Sequence, residues 1–258
     1  MNGNRARASI KSNKRGRGAS SKWSKTVALK KNRSVSRYIP QTQRYGGPVL
    51  KTMLRRYKMV YVKPVRGAQG VGVMRAAQNG VLYSLHSGLK LTQHLNWSRF
   101  DHLVRKRIAN RSYIVQRGIH LLRYKGRIFD LRIMTQLDRN RSWQVTGMLA
   151  RAASPGRAVT NGSQGATIHT IKSALGAHCN TASRLRTEAK LHKICLDSAR
   201  QLRSVYPHLN ELGFDIALDK KLRPWILEVN TAPDAIPFRR LADLTMYRRI
   251  LRYRKQNN

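Results

Sequence analysis

Two short apolar runs late in the chain, residues 214–218 and 225–229, restrict its folding more than any other feature. Both are rich in aromatic and branched side chains, and the stretch between them, Asp-Lys-Lys-Leu-Arg-Pro, has turn composition. Runs this short and this close read as adjacent antiparallel strands. That pairing sets Asp215 opposite Glu228 on one face. Glu228 and Asn230 are two apart, so strand alternation puts both on that face. Two carboxylates and an amide oxygen converging there form a hard-oxygen site suited to Mg²⁺. With no cation between them, carboxylates placed opposite one another repel. The alternative is that one acid points to solvent and pairs with Lys220, Lys221 or Arg223.

Acids are scarce enough to make their placement informative. The 258 residues include 52 Lys and Arg against 11 Asp and Glu, a formal charge of +41. The first acid is Asp101, and Glu211, Asp215, Asp219, Glu228 and Asp234 fall close together. Metal coordination explains that concentration; so does simple balance of neighbouring Arg and Lys. A chain this basic attracts polyanions, among them nucleic acid, acidic protein segments and nucleotides, and charge alone does not choose. Apolar residues make up 41%, enough for a sizeable core. No apolar run is long enough to span a bilayer, and the basic N-terminus lacks a signal peptide's apolar stretch, so the chain reads as soluble and cytoplasmic. Cys179 and Cys195 have no metal-ligand spacing and read as reduced thiols. The eight histidines show no ligand pairing, and Ser154 and Ser163 lack a base and orienting acid, which argues against a zinc site and a hydrolase triad.

Along the chain, residues 1–20 read as a disordered basic arm. Residues 21–33 suit a short helix with Trp23 and Val27 on one face, and 49–57 a second. Strands are expected at 59–65, 71–76, 82–85, 113–116, 127–136 and 143–151. Helices are expected at 98–108 and 182–205, and a loop at 154–167. A basic helix at 242–255 either packs Tyr247, Ile250 and Leu251 on the body or grips nucleic acid with its interleaved Tyr and Arg. Strands arriving in hairpins predict an α+β fold rather than a doubly wound sheet.

Two further constellations stand out. In Lys63-Pro-Val-Arg-Gly67-Ala-Gln69-Gly70-Val-Gly72, glycines let backbone N–H groups approach a phosphate, and the lysine supplies a point charge. It is not a Walker A loop, and alone it reads equally as a flexible turn. In Asp130-Leu-Arg132, alternation puts both side chains on one face. There Arg132 suits a phosphate and Asp130 a hydroxyl, unless the two are a surface pair.

The order of these pieces resembles the ATP-grasp superfamily. It runs Lys-Pro and glycine loop, Tyr-Ile-Val-Gln116, Phe-Asp130-Leu-Arg132, Gly-Met-Leu-Ala-Arg151, Asn161, Gly-Phe-Asp215 and Leu-Glu228-Val-Asn230-Thr-Ala-Pro233. The closing Glu-Val-Asn-x-x-Pro is the specific signature. Lys-Trp near the start, Tyr-Ile-Pro-Gln-Thr and Ile-Phe-Asp-Leu-Arg are most similar to the spore coat-associated ATP-grasp proteins of endospore-forming bacteria. The resemblance implies two α+β subdomains gripping ATP, divided here as residues 21–118, with the glycine lid, and 119–258, with the metal site. It also implies that the N-terminal domain ahead of the grasp is truncated to the arm.

The resemblance assigns roles as well. Lys22, Lys63, Gly67, Gln69, Gly70 and Gly72 would hold the phosphates. Gln116, Arg117 and Ile119 would form the hinge on adenine, Asp130 would hold the ribose, and Asn161 would lie near the γ-phosphate. Arg132 and Arg151 would act on the transferring phosphoryl group, and Asp215, Glu228 and Asn230 would bind one or two Mg²⁺. The implied activity is an ATP-dependent ligase joining a carboxylate to an amine or thiol through an acyl phosphate, with an anionic acceptor and a spore association. The alternative is a non-enzymatic basic protein that binds nucleic acid or another polyanion, the arm being its contact.

Overall fold

Branched and aromatic runs broken by glycine turns build two antiparallel sheets, described for residues 19–156 and 165–257 in a computed structural model. Most of the expected basic arm and Asn161 lie outside the described residues. The chain begins with α1 (Lys22–Lys30) and α2 (Arg33–Ser36). Then come β1 (Thr42–Arg44), α3 (Gly47–Tyr57), β2 (Met59–Pro64), β3 (Met74–Asn79), β4 (Leu82–Ser87), β5 (Lys90–Leu95), α4 (Trp97–Ile108) and β6 (Tyr113–Arg117). The second half holds β7 (Arg123–Tyr124), β8 (Arg127–Leu137), β9 (Trp143–Ala152), β10 (Thr167–His169), α5 (Ile171–Leu175) and α6 (Thr181–Val205). It closes with β11 (Glu211–Leu218), β12 (Pro224–Asn230), α7 (Ile236–Arg239) and α8 (Thr245–Asn257).

The first sheet runs β1-β6-β2-β3-β4-β5, and the second β10-β9-β8-β11-β12 with β7 hairpinned onto β8. This is the α+β, hairpin-dominated fold that the strand pattern predicts. Each sheet buries an apolar face. Under the first, Leu50, Met53, Leu54, Phe100 and Val104 from α3 and α4 meet Val60, Val62 and Leu85. Under the second, Leu191, Cys195, Ala199 and Leu202 of α6 meet Phe129, Leu131, Ile133, Phe214 and Ile216. Ala28 and Leu29 of α1 and Val35 of α2 join this second core.

β8 is buried on both faces. Phe129, Leu131 and Ile133 face α6, while Asp130 and Arg132 face the opposite way, followed by Met134, which packs with Phe238 and Ile250 from α7 and α8. The polar pair therefore lies inside the protein and not at its surface.

Four expectations need correction. α1 does not bury Trp23 and Val27: Val27 is exposed, and the buried face carries Lys22, Lys25, Ala28 and Leu29. The aliphatic half of that face packs on α6, and Trp23 instead meets the Arg44 guanidinium at 5.4 Å. The strand expected from residue 71 starts at Met74, because turns with positive φ at Gly70 and Gly72 extend the glycine loop. β5 was not expected; its residues are mostly exposed, so no apolar alternation marks it. In α8, Ile250 is buried and Tyr247 packs partly, but Leu251 is exposed.

Candidate functional site

One row of charged side chains crosses the second sheet because three registers align across four strands. Arg151 of β9 lies opposite Asp130 of β8, Arg132 of β8 opposite Asp215 of β11, and Asp215 opposite Glu228 of β12. Arg151 grips Asp130 with both ends of its fork, at 2.9 and 2.7 Å. Asp215 Oδ1 accepts from Arg132 Nε at 2.7 Å and lies 3.1 Å from Arg151 Nη2. Burial pushes the Asp215 carboxyl up, but the two guanidiniums outweigh it and hold the group down at about 2. Burial likewise works against the Arg151 charge, yet Asp130 and Asp215 raise its pKa above the usual arginine range.

Between Asp215/Ile216 and the partner strand the register slips, leaving Leu227 as an extra residue. Such a bulge releases a backbone group from the ladder. The Leu227 carbonyl lies 3.4 Å from the ammonium of Lys63, which comes from the end of β2 in the other sheet. Lys63 donates to Gln116 Oε1 at 2.6 Å, and Gln116 leans on Thr42. Burial pulls the Lys63 pKa down to about 8 despite the attraction of Glu228.

Ser21 caps α1, accepting from Ser24 N at 3.2 Å, and the Lys22 N–H donates to the Val65 carbonyl at 2.8 Å. This anchoring aims Lys22 into the cleft. Its ammonium donates to the Gly67 carbonyl at 2.6 Å and lies 3.1 Å from Glu228 Oε1. One turn on, Lys25 is buried on the same helix face. Burial lowers its pKa to about 8, with Glu228 pulling the other way.

These groups surround a cleft between the sheets. Tyr61, Val73, Ile119, Leu121 and Ile128 make its apolar end, and Lys22, Lys63, Asp130, Asp215 and Glu228 its charged end. Residues 118–121 belong to no strand where they pass the apolar end. A second cavity meets the first at Asp215 and Glu228, and carries Arg132, Arg151 and Asn230. The expected residues thus divide. Lys22, Lys63, Gly70, Ile119, Asp130, Asp215 and Glu228 line the cleft, and Gln69, Arg132, Arg151 and Asn230 line the adjoining cavity. Gly67 offers its carbonyl to Lys22, Gln116 backs Lys63, and Gly72 turns toward Tyr113. Arg117 is set apart, its guanidinium stacked over Tyr57 and Trp225 at 5.2 and 5.1 Å.

The donor set fits Mg²⁺. Among the described residues no three of His, Cys, Asp and Glu converge. Mg²⁺ commonly uses only one or two carboxylates and completes its shell with phosphate oxygens and water. Asp215 and Glu228 face each other with Asn230 alongside, its amide 3.4 Å from Asp215 Oδ2, which meets that need. An apolar slot ending in lysines likewise suits a nucleoside carrying phosphates.

Sequence reasoning missed Lys25. The available signal was its position three after Lys22 and three before Ala28, which puts a lysine on the helix face that packs inward.

The YheC/D-like ATP-grasp family model matches residues 14–256. Endospore coat-associated protein YheD of Bacillus subtilis (strain 168) is 24% identical over 219 residues, covering 82% of this chain and 48% of that protein. Endospore coat-associated protein YheC of the same organism is 24% identical over 232 residues, covering 84% of this chain and 61% of that one. The chain therefore spans only about half to three-fifths of the length of these relatives. Among solved structures, D-cycloserine synthetase DcsG superposes with a TM-score of 0.57 at 11% identity, covering 93% of this chain and 71% of that one.

Proposed function

Because the chain belongs to the YheC/D-like ATP-grasp family, we propose that it binds Mg²⁺-ATP in the cleft between its sheets and acts as an ATP-dependent ligase. The reaction joins a carboxylic acid to an amine or thiol through an acyl phosphate. The observation that carries this reading is the row Arg151–Asp130–Arg132–Asp215–Glu228, buried as far as Asp215 and half-buried at Glu228, facing Lys22 and Lys63 from the other side. Catalysis of phosphoryl transfer rests on positioning and charge neutralisation, and this row supplies both.

Each residue has a task in this reading. Tyr61, Ile119, Leu121 and Ile128 hold the nucleoside end, and Asp130, already fixed by Arg151, offers its carboxylate to the ribose. Lys63, Lys22 and the loop at residues 67–72 hold the phosphates. Asp215, Glu228 and Asn230 hold Mg²⁺, which when bound neutralises the phosphate oxygens. Arg132 and Arg151 stabilise charge as the acid's oxygen takes the phosphoryl group. The glycine loop excludes water, which protects the acyl phosphate until the amine or thiol displaces phosphate. A spore association fits the coat-associated relatives.

Calorimetry of ATP with and without Mg²⁺, on wild type and Glu228→Gln at physiological salt, tests this reading. Metal-dependent binding that falls at least tenfold in the variant is expected. Binding indifferent to metal and to the substitution, and lost in moderate salt, would mean only a cationic surface meeting an anion.

A further inference from the structure

The cavity beyond Asp215 and Glu228 is lined by three arginines, Arg132, Arg151 and Arg240. The first two are buried and engaged with Asp215 and Asp130. Arg240 differs. It is exposed at the C-cap of α7, and among the described residues no ion pair or side-chain hydrogen bond engages its guanidinium. The nearby Asp234 carboxylate accepts the Ile236 N–H at 2.9 Å.

The backbone that carries Arg240 is firmly placed. Pro237 and Phe238 of α7 are buried, and the Phe238 ring lies so close to Gly147 that a Cβ there would meet it at 2.6 Å. The Arg240 N–H bonds the Pro237 carbonyl at 3.2 Å. Between Asn230 and Arg240 in the chain, the cavity wall is formed by Ala232, Pro233, Ile236 and Pro237, with Asp234 as its one charged member. The cavity thus offers arginines beside the metal-ligand carboxylates, a largely apolar wall, and a cation with no partner of its own.

We infer that this cavity takes a co-substrate acid bearing a second anionic group, a dicarboxylate in its simplest form, and that Arg240 binds that second group. The inference rests on the ligase reading and adds its substrate class. The reacting carboxylate belongs beside Arg132 and Asn230, where the phosphoryl group is transferred. The aliphatic stem lies along Pro233 and Ile236, and the distal carboxylate meets the Arg240 fork. Arg240 is a specificity-determining residue and takes no part in bond making.

Glutarate and pentanoate differ only in the second carboxylate, so they isolate its contribution. Calorimetric titration of each into the full chain, with Mg²⁺ and a non-hydrolysable ATP analogue at physiological salt, measures it. Glutarate is expected to bind at least tenfold more tightly than pentanoate. Arg240→Ala should remove that preference, Arg240→Lys should recover part of it, and Arg239→Ala, next to it but outside the cavity lining, should leave it intact. Melting of each variant checks that the fold is retained. Equal affinities in wild type, undetectable glutarate binding, or a preference that survives Arg240→Ala would overturn the inference. Failure of the ATP reading is seen separately, in the Glu228→Gln titration.

Discussion

The ammonium of Lys22 lies 3.1 Å from Glu228 Oε1 and at the same time donates to the Gly67 carbonyl at 2.6 Å. A residue near the start of the chain thereby ties the glycine loop of one sheet to the edge strand of the other. The neighbouring carboxylate is held similarly: Asp215 faces Glu228 across the ladder, and Arg132 and Arg151 neutralise it. Facing carboxylates are tolerated because each has its own cation.

Removing this tie should loosen the loop. Lys22→Ala is expected to weaken Mg²⁺-ATP binding by roughly ten- to a hundredfold, the size of one or two charge-assisted contacts. Hydrogen exchange at residues 67–72 should speed up in the nucleotide-free protein. Unchanged exchange and affinity would show that Lys22 holds neither loop nor phosphate.

Lys25 predicts a pH dependence. Burial holds its folded pKa at about 8, below the 10.5 of an exposed lysine. Between those values the unfolded chain binds more protons than the folded one, so stability rises with pH across that window; below it the penalty is constant. In the protein free of metal and nucleotide, Lys25→Met should raise stability at pH 7 by on the order of 1–3 kcal/mol. It should also flatten the rise between pH 8 and 10 that remains in wild type. Urea unfolding at several pH values measures both, and a variant less stable than wild type at pH 7 would count against this account.

Gly147 is fixed by steric demand. An alanine there would place a methyl group against Phe238 and 3.1 Å from Ile250 Cδ1, in a cluster with little room. Gly147→Ala should destabilise by about 1–3 kcal/mol. Denaturant titration reads the loss, and a change near zero would mean that α7 can shift outward.

What the residues disclosed in advance is what a short window of chain determines. The hairpin that puts Asp215 opposite Glu228 needs only two apolar runs and a turn, so its register was legible and is observed. Asp130 and Arg132 share a face as alternation requires. Their burial was not legible, since it depends on groups distant in sequence: Asp130 shares its cleft with Lys22, Tyr61 and Lys63, and Arg132 its cavity with Ile236 and Pro237 of α7. Their partners were hidden for a related reason. Arg151 and Asp215 reach them through cross-strand registers that no short window contains. α1 misled because Trp23 and Val27 form the apolar-looking face, while α6 and Glu228 favour the face of Ala28, Leu29 and two lysines. Arg117 was expected at a hinge through its backbone, and the stacking of its guanidinium on Tyr57 and Trp225, residues far apart in sequence, could not be read in advance.

The placement of α1 also has a kinetic meaning. Its apolar side joins the core built by α6, and its lysine meets a carboxylate on β12, so a helix among the first made waits for nearly the whole chain before its neighbours exist. Contacts this distant in sequence close late and slowly. On a ribosome the cleft between the sheets would therefore be completed only after β12 emerges, and chains stopped short of it would lack the wall that carries Glu228 and Asn230.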